Sequence, residues 1–105
     1  MAVVMIQKQP EMFRTEMYDA VNAKMGTAEN PPDGLITHTL GQGEDGVWRI
    51  VDVWESREAF ERFASDRLRP ALAEVMRENG MDPENAPEPE AITYETYDLM
   101  TGAAR

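Results

Sequence analysis

The chain has 105 residues, a length that predicts a single domain over residues 1–105. Its 20 acidic and 10 basic side chains give a formal net charge of −10, which disfavours nucleic acids and anionic membranes as partners, because both attract basic surfaces. Cysteine is absent and the apolar run at residues 2–6 is short, so disulfides, thiolate metal sites, a signal peptide and a membrane span are not expected. A cytoplasmic location is the simplest expectation.

The first half of the chain predicts two strands separated by a helix. Residues 2–6 are apolar at odd and even positions alike and include β-branched side chains, which is typical of a strand covered on both faces. Pro10 suits the first position of a helix that Gly26 ends. Apolar residues of this helix recur at spacings of three and four: Phe13, Met17, Ala20, Val21 and Met25. After a proline-containing loop, residues 34–40 are rich in β-branched side chains and predict the second strand.

The second half predicts a hairpin, a helix and a closing strand. A glycine-rich turn at residues 41–46 joins the second strand to a third at residues 47–54. Ser56 is a good N-cap for the second helix, Pro70 is expected to kink or split it near residues 67–70, and Gly80 is the stop. Residues 81–90 predict a surface loop, residues 91–99 the fourth strand and residues 101–105 a frayed tail.

The order β-α-β-β-α-β is that of the ferredoxin-like, or split βαβ, motif of the α+β class. Right-handed crossovers put both helices on one face of a four-stranded antiparallel sheet. The third strand is apolar on both parities: Val47, Val51 and Val53 on one, and Trp48, Ile50 and Trp54 on the other. The sheet face without helices is therefore expected to be apolar, and exposed apolar faces usually mark interfaces. A two-fold homodimer through this open sheet face is predicted.

The run DVWESREAFERF at residues 52–63, with Gly34 and His38 in the preceding strand, resembles the dimeric α+β barrel superfamily. Within it the segment is most similar to the antibiotic-biosynthesis-monooxygenase-like proteins of bacteria. The resemblance implies a homodimer whose two sheets form a barrel, with a pocket in each subunit. Members of the superfamily include cofactor-independent quinone-forming monooxygenases, haem-degrading enzymes, small isomerases or lyases, and proteins without known catalysis.

The resemblance to haem-degrading members fails at one position. Those members carry a histidine ligand on the second helix, a few residues after the motif tryptophan. Residues 60–64 read FERFA here and contain no histidine, so haem degradation is not expected. No metal-ligand spacing is recognisable either, and no cofactor or metal is predicted.

His38 and Asp52 are the predicted catalytic residues. His38 is the single histidine and titrates near neutral pH, so it is suited to take a proton from a phenolic substrate. The alternative is a half-buried histidine hydrogen-bonded to the partner chain or to backbone. Asp52 is unusual in an apolar strand and is expected to orient His38 or Arg49 across the hairpin, with a structural salt bridge as the alternative.

The hairpin register decides whether this pair meets. A two-residue turn at Glu44 and Asp45 puts His38 opposite Val51, whereas a slip of one residue changes the face that His38 occupies.

Aromatic residues supply the predicted ligand-binding positions. Trp48, Trp54 and Tyr94, together with Tyr97, are candidates for lining a pocket for a small aromatic molecule, with packing in a core or interface as the alternative. Two functions are compatible with these patterns. One is a cofactor-independent monooxygenase-like enzyme acting on a small aromatic or polyketide-like molecule, and the other is a non-catalytic dimeric ligand-binding or accessory protein. A cavity holding His38 and a second polar group beside Trp54 favours the enzyme, whereas a filled sheet–sheet space without a cavity near His38 favours the binding protein.

Overall fold

A computed structural model describes residues 1–103. The elements, in chain order, are β1 (Val3–Lys8), α1 (Thr15–Met25), β2 (Leu35–Gln42), β3 (Trp48–Trp54), α2 (Arg57–Phe63), a π-helical turn (Ala64–Leu68), α3 (Arg69–Glu78), a 3₁₀ turn (Pro83–Asn85) and β4 (Glu90–Glu95). The predicted β-α-β-β-α-β order is confirmed, and α2, the π-helical turn and α3 together form the second helical segment. Residues 104 and 105 of the predicted tail lie outside the described residues.

The strands form one antiparallel sheet in the order β2-β3-β1-β4. Residues directly opposite each other in neighbouring strands project from the same face. Met5 of β1 lies opposite Asp52, two positions before Trp54 on β3. Trp54 packs against Phe60 and Phe63 of α2, with ring centroids 5.5 and 5.4 Å apart. The side chains of Met5, Asp52 and Trp54 therefore lie on the helix-covered face of the sheet. The ferredoxin-like fold is confirmed.

The opposite face of the sheet is apolar at its centre, as predicted, with the charged Lys8, Arg49 and Glu90 at one end. We call it the open face, and its apolar members are Val4, Ile6, Val51, Val53, Ile92 and Tyr94. Ile92 and Tyr94 of the edge strand β4 are 63% and 49% exposed. The side chains of Val51 and Val53 of β3 thus lie on the open face, while those of both tryptophans project from the helix-covered face.

The helical layer is held by a small apolar core. Its buried centre joins α1 to α3, and its members are Val21, Ala71 and Val75, with Met17, Ala20, Met25 and Leu68 packed around them. Four of the five stripe positions predicted for the first helix belong to this cluster. The fifth, Phe13, precedes α1 and packs on Trp48 instead, with ring centroids 5.7 Å apart.

The first helix begins later than predicted. Residues 10–13 form a turn in which the Phe13 N–H donates to the Pro10 carbonyl at 3.0 Å. Arg14 then adopts an extended conformation, with φ −135° and ψ 136°, so the helix begins at Thr15. Its end is as predicted, at a left-handed Gly26 with φ 66°.

The second helix is capped and interrupted where the sequence predicts. Ser56 Oγ accepts a hydrogen bond from the Ala59 N–H at 3.1 Å. Pro70 has no N–H to donate to a carbonyl of the preceding turn, and the chain widens there into a π-helical turn. The Arg69 N–H accordingly reaches back five residues, to the Ala64 carbonyl.

The β2–β3 hairpin closes with a three-residue turn, which decides between the two registers that the sequence left open. The Gly43 N–H donates to the Val47 carbonyl and the Gly46 N–H to the Gly43 carbonyl, both at 2.9 Å. Gly46 has φ 81°, the left-handed conformation that this turn requires at its last position. The additional residue places His38 opposite Asp52 rather than Val51.

Two further features concern the ends of the strands. The fourth strand ends at Glu95 rather than at residue 99, because Glu95 lies opposite Val3, the first residue of its partner β1. One further backbone hydrogen bond, from the Thr96 N–H to the Ala2 carbonyl at 2.8 Å, follows this pair. At the other end of the hairpin, Gly34 has φ 85°, and a Cβ there would lie 2.6 Å from the Cβ of Ala59. Gly34 therefore permits the close contact between the start of β2 and α2.

Candidate functional site

Asp52 is the buried centre of the candidate site. The residue is 8% exposed, and each carboxylate oxygen accepts one side-chain hydrogen bond. Oδ1 accepts from His38 Nδ1 at 2.6 Å, and Oδ2 accepts from the Trp54 indole N–H at 3.3 Å. Of the two partners predicted for Asp52, His38 is therefore the one it contacts. Arg49 lies on the other face and pairs with Asp45 at 2.9 Å, and this hydrogen bond lowers the pKa of Asp45 to about 2.

The contact with Asp52 defines the chemistry of the His38 ring. An ionised carboxylate only accepts hydrogen bonds, so Nδ1 carries the hydrogen and Nε2 of the neutral ring carries the lone pair. The hydrogen bond to Asp52 raises the pKa of His38 above its usual 6.5, and desolvation opposes this rise. The His38 side chain is 35% exposed, because β2 is an edge strand of the sheet. His38 is thus an oriented base within reach of solvent.

Tyr18 of α1 completes the cluster, and sequence reasoning missed it. Its hydroxyl oxygen lies 2.5 Å from His38 Nε2, and the two rings are nearly parallel, 4° apart. Tyr18 follows the stripe residue Met17 directly, so it borders the apolar side of α1. An aromatic residue with a polar tip at that border was the available signal. Tyr18, His38, Asp52 and Trp54 therefore form one continuous chain of side-chain hydrogen bonds.

Three aromatic rings form a row in space that ends beside His38. Trp48 packs on Phe13 at 5.7 Å, and Phe13 packs on Tyr18 at 6.3 Å between centroids. We call Trp48, Phe13 and Tyr18 the aromatic row. Tyr18 is the member next to His38, with 6.2 Å between ring centroids.

Comparison with known proteins identifies the fold. No family model and no curated protein matches the sequence. Solved structures do: SnoaB, a cofactor-independent oxygenase from Streptomyces nogalater, has a TM-score of 0.63 at 16% identity, over 96% of this chain and 98% of that one. A protein assigned to the antibiotic biosynthesis monooxygenases from Nitrosomonas europaea has a TM-score of 0.61 at 10% identity, covering 93% and 100%.

This chain shares the fold of these solved structures. The predicted resemblance is confirmed at the level of fold, which is what likeness at such identities establishes. A haem-degrading protein from Mycobacterium tuberculosis also shares it, with a TM-score of 0.54 and 21% identity over 97% of this chain and 100% of that one. Residues 60–64 of this chain contain no histidine, and His38 Nδ1 is bonded to Asp52 on the sheet.

The predicted ligand-binding residues are distributed over three environments. Trp54 is 1% exposed and forms part of the core, where its indole N–H holds Asp52. Trp48 belongs to the aromatic row on the His38 side of the sheet. Tyr94 lies on the open face opposite Val4. These three rings do not meet in one pocket, so a ligand-binding role beside His38 stays a prediction for Trp48 alone.

Two clefts in the described part of the chain are not lined by His38. A cleft of about 260 Å³ between α1 and α3 is bordered by Lys24, Arg67 and Glu74. A second, of about 100 Å³, is bordered by Asp33, Arg62 and Phe63. Neither cleft is the cavity with His38 beside Trp54 that we expect for an enzyme. Over residues 1–103 there is no grouping of three metal-ligating side chains, and no helix long and apolar enough to cross a membrane.

Proposed function

We propose that this protein is a cofactor-independent monooxygenase-like enzyme acting on a small aromatic or polyketide-like molecule with an acidic hydroxyl group. The observation that carries the proposal is the 2.6 Å hydrogen bond between Asp52 Oδ1 and His38 Nδ1. It leaves Nε2 as the basic nitrogen of the neutral ring. General-base catalysis requires such an oriented lone pair with a pKa near the working pH.

The proton transfer follows from the hydrogen bonds of His38. In the neutral ring, Nε2 is the atom that becomes protonated when the substrate gives up its acidic proton. The imidazolium that forms lies beside the Asp52 carboxylate, and the hydrogen bond between them, which raises the pKa of His38, stabilises it. Because Asp52 is buried, this interaction is screened less than a surface ion pair. The pair therefore favours formation of the substrate anion.

The substrate anion supplies the electrons, and dioxygen is the co-reactant. In an anthrone-type substrate the acidic hydroxyl is that of the enol tautomer. Its anion transfers one electron to dioxygen, and the resulting radical pair combines to form a carbon–oxygen bond at the former methylene carbon. The peroxide takes the proton held on His38. Loss of the one C–H proton that remains at this carbon is accompanied by cleavage of the O–O bond. The carbon becomes a carbonyl, and the released hydroxide takes up that proton and leaves as water. The balance is CH₂ plus O₂ to C=O plus H₂O.

The aromatic row supports an aromatic substrate. Its rings extend from Trp48 on β3, through Phe13, to Tyr18 on α1, and Tyr18 is directly beside His38. Planar molecules gain apolar burial and favourable ring–ring contacts on such a surface. A substrate packed there has its hydroxyl close to the Tyr18–His38 pair.

The active form that we propose is a homodimer joined through the open face. A contiguous apolar face on a folded chain is costly to leave in water, and an isologous contact covers it on both chains at once. Six apolar side chains of β1, β3 and β4 form this face. A light-scattering mass twice that of one chain is the expected result, and a strict monomer would contradict it.

Dithranol, a dihydroxyanthrone, is a suitable probe of the activity. We expect the protein to accelerate oxygen uptake and quinone formation above the spontaneous rate, and His38→Asn to lower the accelerated rate by about 100-fold or more. Asp52→Asn should lower this rate as well, because it removes the carboxylate that stabilises the imidazolium. Asp45→Asn is its matched control, since Asp45 is also hydrogen-bonded but lies in the hairpin turn. An unchanged rate in His38→Asn would overturn the proposal. Dithranol binding without turnover would instead indicate a non-catalytic ligand-binding protein.

A further inference from the structure

Both ring nitrogens of His38 are engaged by side chains. Nδ1 bonds to Asp52 at 2.6 Å, and Nε2 lies 2.5 Å from the Tyr18 hydroxyl oxygen. Since Nδ1 carries a hydrogen, the neutral ring offers its lone pair at Nε2, and the Tyr18 O–H donates to it. A substrate hydroxyl therefore meets an occupied base. Either the substrate displaces Tyr18, or its proton passes through Tyr18.

The arrangement of the rings favours passage through Tyr18. Tyr18 stands between the rest of the aromatic row and His38, with centroid separations of 6.3 Å to Phe13 and 6.2 Å to His38. A molecule packed on Trp48 and Phe13 therefore reaches the Tyr18 hydroxyl before it reaches the imidazole. While this hydroxyl donates to Nε2, its oxygen still has lone pairs that accept a second hydrogen bond.

The helix holds Tyr18 in this position. The residue lies within α1, where Val21 and its apolar neighbours anchor the helix to α3. Displacing the phenol would give up its contact with Phe13 and its short hydrogen bond to His38. Accepting one more hydrogen bond at the same oxygen requires neither loss.

We propose that Tyr18 is a catalytic residue that receives the acidic proton of the substrate while passing its own proton to His38 Nε2. This inference rests on the proposed function. In the step, the substrate O–H bond and the Tyr18 O–H bond break, and a new Tyr18 O–H bond and an Nε2–H bond form. Tyr18 ends neutral, the substrate ends as its anion, and the positive charge lies on His38 beside Asp52. No electron passes to or from Tyr18.

Turnover of dithranol by Tyr18→Phe distinguishes proton transfer through Tyr18 from displacement of Tyr18 by the substrate. If the proton passes through Tyr18, kcat should fall by about 100-fold and KM should change much less, because the ring and its packing remain while the relay oxygen is lost. In the double variant Tyr18→Phe with His38→Asn, the loss should not exceed that of His38→Asn alone. The control is Ser65→Ala, which also removes a single side-chain hydroxyl, on the π-helical turn, and should be neutral. Turnover equal to or above the unaltered level in Tyr18→Phe would overturn the inference and identify Tyr18 as a group that the substrate displaces.

Solvent isotope dependence distinguishes a relay from a structural role. When two protons move together, kcat plotted against the deuterium fraction of the solvent is curved, and when one moves it is linear. We expect a curved plot for the unaltered protein and a linear one for the residual activity of Tyr18→Phe. A linear plot for both would contradict the relay.

A measurement without substrate tests the contact itself. The chain has one histidine, so its imidazole nitrogen resonances are unambiguous. Tyr18→Phe should shift the Nε2 resonance and leave Nδ1 nearly unchanged, and an unchanged Nε2 would overturn the inference by itself. If His38→Asn abolishes dithranol oxidation while Tyr18→Phe does not, the inference fails and the proposed function stands. If the unaltered protein does not oxidise dithranol, both fail.

Discussion

His38 and Asp52 lie directly opposite each other on β2 and β3, with Nδ1 of the imidazole 2.6 Å from Oδ1 of the carboxylate. The turn that joins the two strands determines this pairing. Gly46 takes a left-handed conformation, the turn has three residues, and the register places the two side chains on the helix-covered face. A two-residue turn would have put His38 opposite Val51, on the open face. The candidate base therefore depends on one glycine in a surface turn.

Replacing Asp52 by Asn should lower the pKa of His38. The hydrogen bond to the carboxylate is the main cause that raises this pKa, and desolvation acts in the opposite direction. With a neutral amide in place of the charge, desolvation dominates and the pKa should fall to 6.5 or below. Titration of the single histidine by NMR measures the change. Asp45→Asn, which removes the partner of Arg49, should leave the His38 titration unchanged, and an equal effect of both substitutions would contradict the assignment.

Stability should decline with rising pH in the window above 6.5. The unfolded chain has an ordinary histidine pKa, whereas the folded pKa is raised. The stabilisation of the folded state by the imidazolium is therefore complete below 6.5 and is lost as pH rises through the folded value. Urea unfolding at several pH values from 6 to 9 should show this decline in the unaltered protein and not in His38→Asn. The same slope in both would show that His38 is not linked to folding.

The order and ends of the elements could be predicted because they depend on local chemistry. Ser56 caps a helix through its own hydroxyl, Gly26 reaches a left-handed conformation at low cost, and Pro70 lacks a donor wherever it stands. Each effect acts within about one helical turn. Apolar periodicity then indicates which side of each element is covered. These short-range effects were sufficient for the ferredoxin-like fold and the apolar open face.

The site could be predicted only in part, because it depends on pairing between distant segments. Two turn lengths were compatible with the same glycine-rich sequence, and they place His38 on opposite faces. Tyr18 reaches His38 from a helix that precedes β2, a contact that no spacing along the chain reveals. The face of Tyr94 likewise depends on how β4 pairs with β1. Aromatic type alone did not distinguish the buried Trp54 from the half-buried Trp48.

Gly34→Ala should destabilise the fold strongly. Gly34 has φ 85°, and a methyl group there would lie 2.6 Å from the Ala59 Cβ on α2. The left-handed backbone and the overpacking together should lower the free energy of unfolding by about 2–4 kcal/mol. Urea unfolding monitored by circular dichroism measures this loss. Gly41→Ala is the control, because a methyl at that position of β2 meets nothing within 4 Å. Similar losses in the two variants would contradict the close contact between β2 and α2.

Ile92→Lys should dissociate the proposed dimer without unfolding the chain. Ile92 is 63% exposed on the open face of a single chain, so a lysine there costs the isolated fold little. Between two apolar faces the same ammonium group would be buried without a partner, which is strongly unfavourable. Sedimentation equilibrium should show the unaltered protein as a dimer and Ile92→Lys shifted towards monomer. Leu72→Lys, at a position of α3 that is 39% exposed, is the matched control and should remain dimeric. A dimer fraction in Ile92→Lys equal to that of the control would show that the chains associate through a surface other than the open face.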